Sequence, residues 1–295
     1  GFHCGIKKAK DDLTVVVSDV PAAAAAVYTN NLFQAAPLVV TKAHLAQEGK
    51  AQAIVVNSGV ANACTGEEGL GYCKQTAEKA AELFGIRADQ VLVASTGVIG
   101  MPLPVDKIGA GIAKAKDALL PLAESAEAAS RGIMTTDTVP KTASATITIA
   151  GTEVHFWGMC KGAGMIHPNM STMLGFVLCD ADIESALLQQ ALSDAIGDSF
   201  NMISVDGDTS TNDMVTVLAN GCAENAPITD AKSEEFQRFA AALKEVCVSL
   251  AKQIVADGEG ATKLFAVKVL NAPTTRDAKT IARAVTSSSL VKAAM

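Results

Sequence analysis

The chain has 295 residues, of which 49% are hydrophobic and 19% charged, proportions that suit one large domain or two modest ones around an ordinary globular core. A net charge of −7, with no basic cluster beyond Lys7-Lys8-Ala9-Lys10, argues against nucleic acid or a membrane surface as partner and leaves small metabolites. The seven cysteines (Cys4, Cys64, Cys73, Cys160, Cys179, Cys222 and Cys247) are scattered and form no C-x-x-C pair, so reduced thiols are expected, without a disulfide framework or a zinc site. Gly1 opens without a charged and apolar leader, and no apolar run approaches the roughly 18 residues of a membrane span, which together give a cytoplasmic expectation.

In chain order, Leu13–Ser18 reads as a β-branched strand that Pro21 breaks. Ala22–Tyr28 has the alanine content of a helix, but its short length between Pro21 and Asn30-Asn31 favours a buried strand. Pro37–Thr41 and Ala53–Asn57 read as two more strands, the second running into the polar loop Asn57–Gly66. Glu67–Phe84 is an amphipathic helix, with Tyr72, Ala77, Ala80, Ala81 and Phe84 on one face and Gly85 ending it. Val91–Ser95 is a strand that empties into Thr96-Gly-Val-Ile-Gly100, where a hydroxyl and free backbone N–H groups could point at an anion, although on the local residues alone a plain turn is the favoured reading. Ile108–Arg131 reads as one Ala-rich helix, and Met134–Thr138 as a polar loop.

Lys141–Ile149 and Val154–Met159 alternate around Gly151 as a hairpin, which would bring Thr135 and Lys161 to the same end of a sheet. Met173–Cys179 is a buried strand and Asp180–Phe200 a helix. Ile203–Val205 is a short strand before the acidic loop Asp206–Asp213. The D-x-D spacing of that loop lacks the glycine and glutamate positions of an EF-hand, so no metal is expected there. Met214–Ala219 reads as strand, Thr229–Ala256 as a long helix, Leu264–Leu270 as strand and Asp277–Ala294 as helix. This mixture, without a βαβ rhythm, suits an α+β fold with largely antiparallel pairing.

The most informative stretch is Lys161-Gly-Ala-Gly-Met-Ile-His-Pro-Asn-Met-Ser-Thr-Met-Leu-Gly175. A Gly/Pro-rich loop meets a buried strand at Ser171-Thr172, a suitable place to make an N-terminal nucleophile. Thr172 Oγ would attack the Ser171 carbonyl, the ester would hydrolyse, and the freed α-amine of Thr172 would sit beside its own hydroxyl as base. With an ordinary pKa of about 7.7–8.0, a useful fraction of that amine is neutral near pH 7.

KGAGMIHPNMSTML resembles the self-cleaving motif of the glutamate N-acetyltransferase / ornithine acetyltransferase family of arginine biosynthesis, with Ser171 where members usually carry Ala. The resemblance runs over essentially the whole chain and implies an α/β sandwich of the kind shared with self-cleaving aminopeptidases. It implies an acyltransferase that moves acetyl from N2-acetylornithine to glutamate through an acetyl-Thr172 intermediate. Thr96 and Gly97 would form the oxyanion hole. Lys161, Thr172, Glu259 and one of Thr135 and Thr136 would bind substrate. Residues 1–171 would be the α chain and 172–295 the β chain, paired as α2β2, and relative to the family the C-terminal part and a short N-terminal piece look absent. No cofactor is implied, and acetyl-CoA stays open as a further acetyl donor. An aminopeptidase passing the acyl group to water, and an uncleaved binding paralogue, are the alternatives.

Overall fold

The computed structural model describes residues 1–167 and 173–295. Its strands are β1 (Leu13–Tyr28), β2 (Lys50–Val60), β3 (Val91–Val98), β4 (Lys141–Ile149), β5 (Thr152–Lys161), β6 (Leu174–Cys179) and β7 (Met214–Ala219). They hydrogen-bond in the order β3-β2-β1-β7-β6-β5-β4. The pairs β2/β3 and β6/β7 are parallel, whereas β1/β2, β1/β7, β4/β5 and β5/β6 are antiparallel.

The sheet is folded over on itself through β1. At one end Leu13 pairs with Asn57, and at the other Tyr28 pairs with Met214. Straight, those 16 residues would span about 50 Å. Yet Asn212, two residues before Met214, donates from Nδ2 to the carbonyls of Ala61 at 2.6 Å and Ser95 at 2.8 Å, and Ser95 is the register partner of Asn57. The strand must therefore double back, and its pairing with β2 slips between Val17 and Ala22, around Pro21. Pro21 bends the strand without ending it, because a bulge tolerates the missing N–H.

Folding over creates an inner apolar layer in which Ile54, Val56, Leu92 and Ala94 from β2 and β3 cluster with Met159, Phe176, Met214 and Leu218 from β5 to β7. The outer faces are covered by helices. Over β2 and β3 lie α2 (Gly66–Phe84) and α3 (Val105–Ala118), through Ala77, Ala80, Ile108 and Ile112 against Val55 and Val93. Over the other half lie α5 (Ser185–Asp198) and α6 (Glu234–Ala256), through Leu192, Ile196, Leu243 and Val246 against Val177 and Val215. The result is the expected α/β sandwich. The helix α4 (Ala123–Gly132) contributes Ala129 to the inner layer and is held by Thr14 Oγ1 donating to the Ala129 carbonyl at 2.8 Å and Ser58 Oγ to that of Gly132 at 2.6 Å.

Several expectations change. Pro37–Thr41 is not a strand but the first turns of helix α1 (Ala36–Glu48). Pro37 falls in the first turn, where its missing N–H costs nothing, and Gly49 ends the helix in the left-handed conformation, φ 61°. The helix lies along β3, with Thr41 Oγ1 donating to the Val93 carbonyl at 2.9 Å. The helix expected over Ile108–Arg131 is interrupted around Pro121, giving α3 and α4. Neither Ile203–Val205 nor Leu264–Leu270 forms a strand. The closing helical stretch divides into α7 (Thr275–Thr286) and α8 (Ser289–Ala294).

Candidate active site

The fold-over brings the C-terminal ends of β2 and β3 to the starts of β6 and β7. Parallel pairing sets Ser58 opposite Thr96 and Gly59 opposite Gly97. Thr96 is buried and Gly97 emerges at the strand end. Gly97 has φ 134°, and a Cβ there would lie 2.3 Å from the Gly59 carbonyl carbon, so glycine is required. Beneath them Ser95 Oγ donates to Asn57 Oδ1 at 2.6 Å, and Asn57 Nδ2 to the Val60 carbonyl at 2.8 Å.

On the other wall, the β4–β5 hairpin does what its sequence predicts. Lys161, the last residue of β5, donates to Thr135 Oγ1 at 3.4 Å. Thr136 faces solvent. Burial pushes Lys161 below the ordinary lysine pKa, while the carboxylates of Asp137 and Asp213 act in the opposite sense. Asp137 is 3% exposed and accepts from the N–H of Thr135 at 3.0 Å, the N–H of Gly162 at 2.6 Å and Lys141 Nζ at 2.7 Å. Burial alone would raise its pKa, but the charges of Lys161 and Lys141 outweigh burial and hold it below the usual carboxylate value.

Glu259 sits against the loop that Lys161 leads into. Its N–H donates to the Ala163 carbonyl at 2.9 Å, and its carboxylate packs on Gly164, where a Cβ would lie 2.3 Å from Oε2. The same loop is held by Asp206, which accepts from the N–H groups of Met165 at 2.5 Å and Ile166 at 2.9 Å. Asp206 thus acts as a backbone cap. Ser171 and Thr172, the proposed cleavage pair and nucleophile, lie outside the described residues. Their described neighbour is Met173, whose carbonyl accepts from the N–H of Met214 at 3.1 Å.

Sequence reasoning missed Asp213. It precedes β7 and is 2% exposed, and its Oδ2 has no hydrogen-bond partner among the described residues. Burial raises its pKa well above the carboxylate norm; Lys161, Ser210 and the backbone of Met173 oppose the shift without cancelling it. Its signal in the sequence was its place at the end of the Asp206–Asp213 run, directly before an apolar strand. Asp137, Lys141 and Asp257 were also missed, since nothing local marks them as partners.

A profile of the ArgJ family matches residues 1–295. The chain belongs to the ArgJ family. Among its relatives, the arginine biosynthesis bifunctional protein ArgJ of Symbiobacterium thermophilum is 54% identical over 286 residues, covering 97% of this chain and 70% of that protein. ArgJ of Bacillus cereus is 52% identical over 293 residues, 99% of this chain and 71% of that protein. Of solved structures, ArgJ from Bacillus halodurans is similar with a TM-score of 0.55 and 47% identity, over 59% of this chain and 88% of that one. The ornithine acetyltransferase of Mycobacterium tuberculosis, complexed with ornithine, follows at 0.51 and 34%, over 59% of this chain and 90% of that one. As an ArgJ member the chain is an acyltransferase, and its reaction is acetyl transfer in arginine biosynthesis.

Proposed function

We propose that the protein moves an acetyl group from N2-acetylornithine to glutamate through an acetyl ester on Thr172, after cutting itself at Ser171-Thr172 into an α chain (1–171) and a β chain (172 onward) that pair as α2β2. In the cut, Thr172 Oγ attacks the Ser171 carbonyl, the peptide nitrogen leaves as the α-amine of Thr172, and water hydrolyses the ester. In turnover, Oγ attacks the acetyl carbon while the α-amine takes the Oγ proton. The tetrahedral oxygen accepts from the Gly97 N–H and the Thr96 hydroxyl. Collapse expels the ornithine amine, which takes the proton from the α-ammonium. The glutamate amine then attacks the acetyl ester by the same steps in reverse.

The observation that carries this reading is the meeting of the β3 end, Ser95-Thr96-Gly97, with the starts of β6 and β7, joined by the Asn212 bond to the Ser95 carbonyl at 2.8 Å. Thr172 directly precedes Met173 in sequence, and Met173 is bonded to β7, so the described residue next to the proposed nucleophile stands among the strand ends that meet the proposed oxyanion donors. Lys161 and Thr135 supply polar contacts to the donor, and Glu259 a carboxylate for a substrate ammonium. The chemistry requires no metal or cofactor, and acetyl-CoA would present the same acetyl carbonyl as a second donor.

The test uses full-length protein. Denaturing separation should give two pieces, the second beginning with Thr172 by N-terminal sequencing, and Thr172→Ala should give one uncut chain without transferase activity. Incubation with N2-acetylornithine should yield acetylglutamate only when glutamate is present. An intact single chain with full activity would falsify the mechanism, and release of free acetate with no transfer would replace the transferase with a hydrolase.

A further inference from the structure

A buried charge array runs behind the substrate wall. Lys141, at the start of β4, is 0% exposed, and its ammonium reaches two carboxylates, Asp137 Oδ1 at 2.7 Å and Asp257 Oδ2 at 2.5 Å. Asp257 also accepts from the N–H of Thr138 at 3.0 Å and from the Thr138 hydroxyl. Each carboxylate stands two residues from a proposed substrate contact, Asp137 from Thr135 and Asp257 from Glu259. Asp137 further holds the N–H of Gly162, the residue after Lys161. Segments far apart in sequence, around 135–141, 161–162 and 257–259, therefore share one lysine.

Stability alone is a weak reason for such an array. Desolvating an ammonium and two carboxylates is expensive, and well-packed apolar side chains often do as well or better. What an ion array supplies is a fixed geometry, because each carboxylate oxygen has defined partners and a shift of one segment strands a buried charge. We propose that Lys141 is a positioning residue, clamping Asp137 and Asp257 so that Thr135, Lys161 and Glu259 form one substrate-binding wall. The inference rests on the proposed transfer reaction, in which those three residues meet the substrate. Among the described residues the partners of the clamp include neither Thr96 nor Gly97, so it acts on binding and leaves the chemical step alone.

The experiment is steady-state transfer by full-length Asp257→Asn, which keeps an oxygen for Thr138 but removes one of the two charges that Lys141 bridges. Expected is a KM for N2-acetylornithine raised about tenfold with kcat within about twofold of wild type, the split that marks lost uniform binding, and complete self-cleavage. If Asp257→Asn does not fold, Thr138→Val, which loosens only the exposed end of the array, decides with a smaller rise in KM. A folded variant with unchanged KM overturns the clamp, as does equal damage to KM, kcat and self-cleavage. Wild-type protein that transfers no acetyl group overturns the underlying reaction instead, and the clamp's role with it.

Discussion

Asn212 donates from Nδ2 to the Ser95 carbonyl at 2.8 Å, a bond between the loop before β7 and the strand that carries Thr96. The same amide reaches the Ala61 carbonyl at 2.6 Å, and Asn212 is 5% exposed. One buried side chain thus pins together the two halves of the folded sheet, tying the loop before β7 to the strand that carries Thr96.

Asn212→Ala should therefore cost both stability and turnover. Two carbonyls lose a buried donor, and leaving such groups unsatisfied costs about 1–3 kcal/mol each. Chemical denaturation should show a lower midpoint with an unchanged slope, and kcat should fall more than substrate affinity, because the oxyanion donors drift from the nucleophile. A variant as stable and as active as wild type would show that the strand ends are held together by other means.

Thr96 and Gly97 should fail differently. Thr96→Ala removes one hydroxyl from a buried position, and on the scale of other oxyanion-hole deletions the barrier should rise by about 2.7–4 kcal/mol with substrate affinity little changed. Gly97→Ala places a Cβ against the Gly59 backbone at φ 134°, a region essentially closed to alanine, so it should impair folding itself. Thermal unfolding separates the two, with a near-normal midpoint for Thr96→Ala and a depressed one for Gly97→Ala.

Strands whose apolar residues alternate or run together were legible in the sequence. Lys141–Ile149 and Met214–Ala219 form with the predicted bounds, and the hairpin correctly delivered Lys161 to Thr135. Pro37–Thr41 misled because Val39, Val40 and Thr41 have strand propensity, whereas the turn geometry at Pro37 and Gly49 and packing against β3 decide for helix. Leu264–Leu270 alternates as a strand should, yet a strand exists only when another edge pairs with it, and none does so here among the described residues. The array of Asp137, Lys141 and Asp257 was invisible for a different reason: Lys141 and Asp257 are separated by 116 positions, and no local period connects them. The doubling back of β1 was likewise beyond a local reading, since Pro21 signals a break but not a turn of the whole sheet.

Asp213 allows a prediction with a definite sign. Its carboxyl is buried with Oδ2 unpartnered among the described residues, and burial raises its folded pKa well above the carboxylate norm against the opposing pull of Lys161 on β5. In the unfolded chain it titrates near the ordinary value of about 3.9. Between those two pKa values the unfolded state releases a proton that the folded state keeps, so Asp213 makes stability fall as pH rises. Asp137 and Asp257 act with the opposite sign, because their folded pKa values are depressed and the stability they contribute is lost as pH falls through those values. Asp213→Asn removes one titration and leaves the other two. Relative to wild type, the variant should gain stability progressively from about pH 4 upward, and the difference should close below the unfolded carboxylate pKa. Thermal midpoints measured from pH 4 to pH 8 check this. A variant destabilised at neutral pH would mean instead that Asp213 is ionised in the folded protein and paired with Lys161, since removing a charge that Lys161 needs would then dominate.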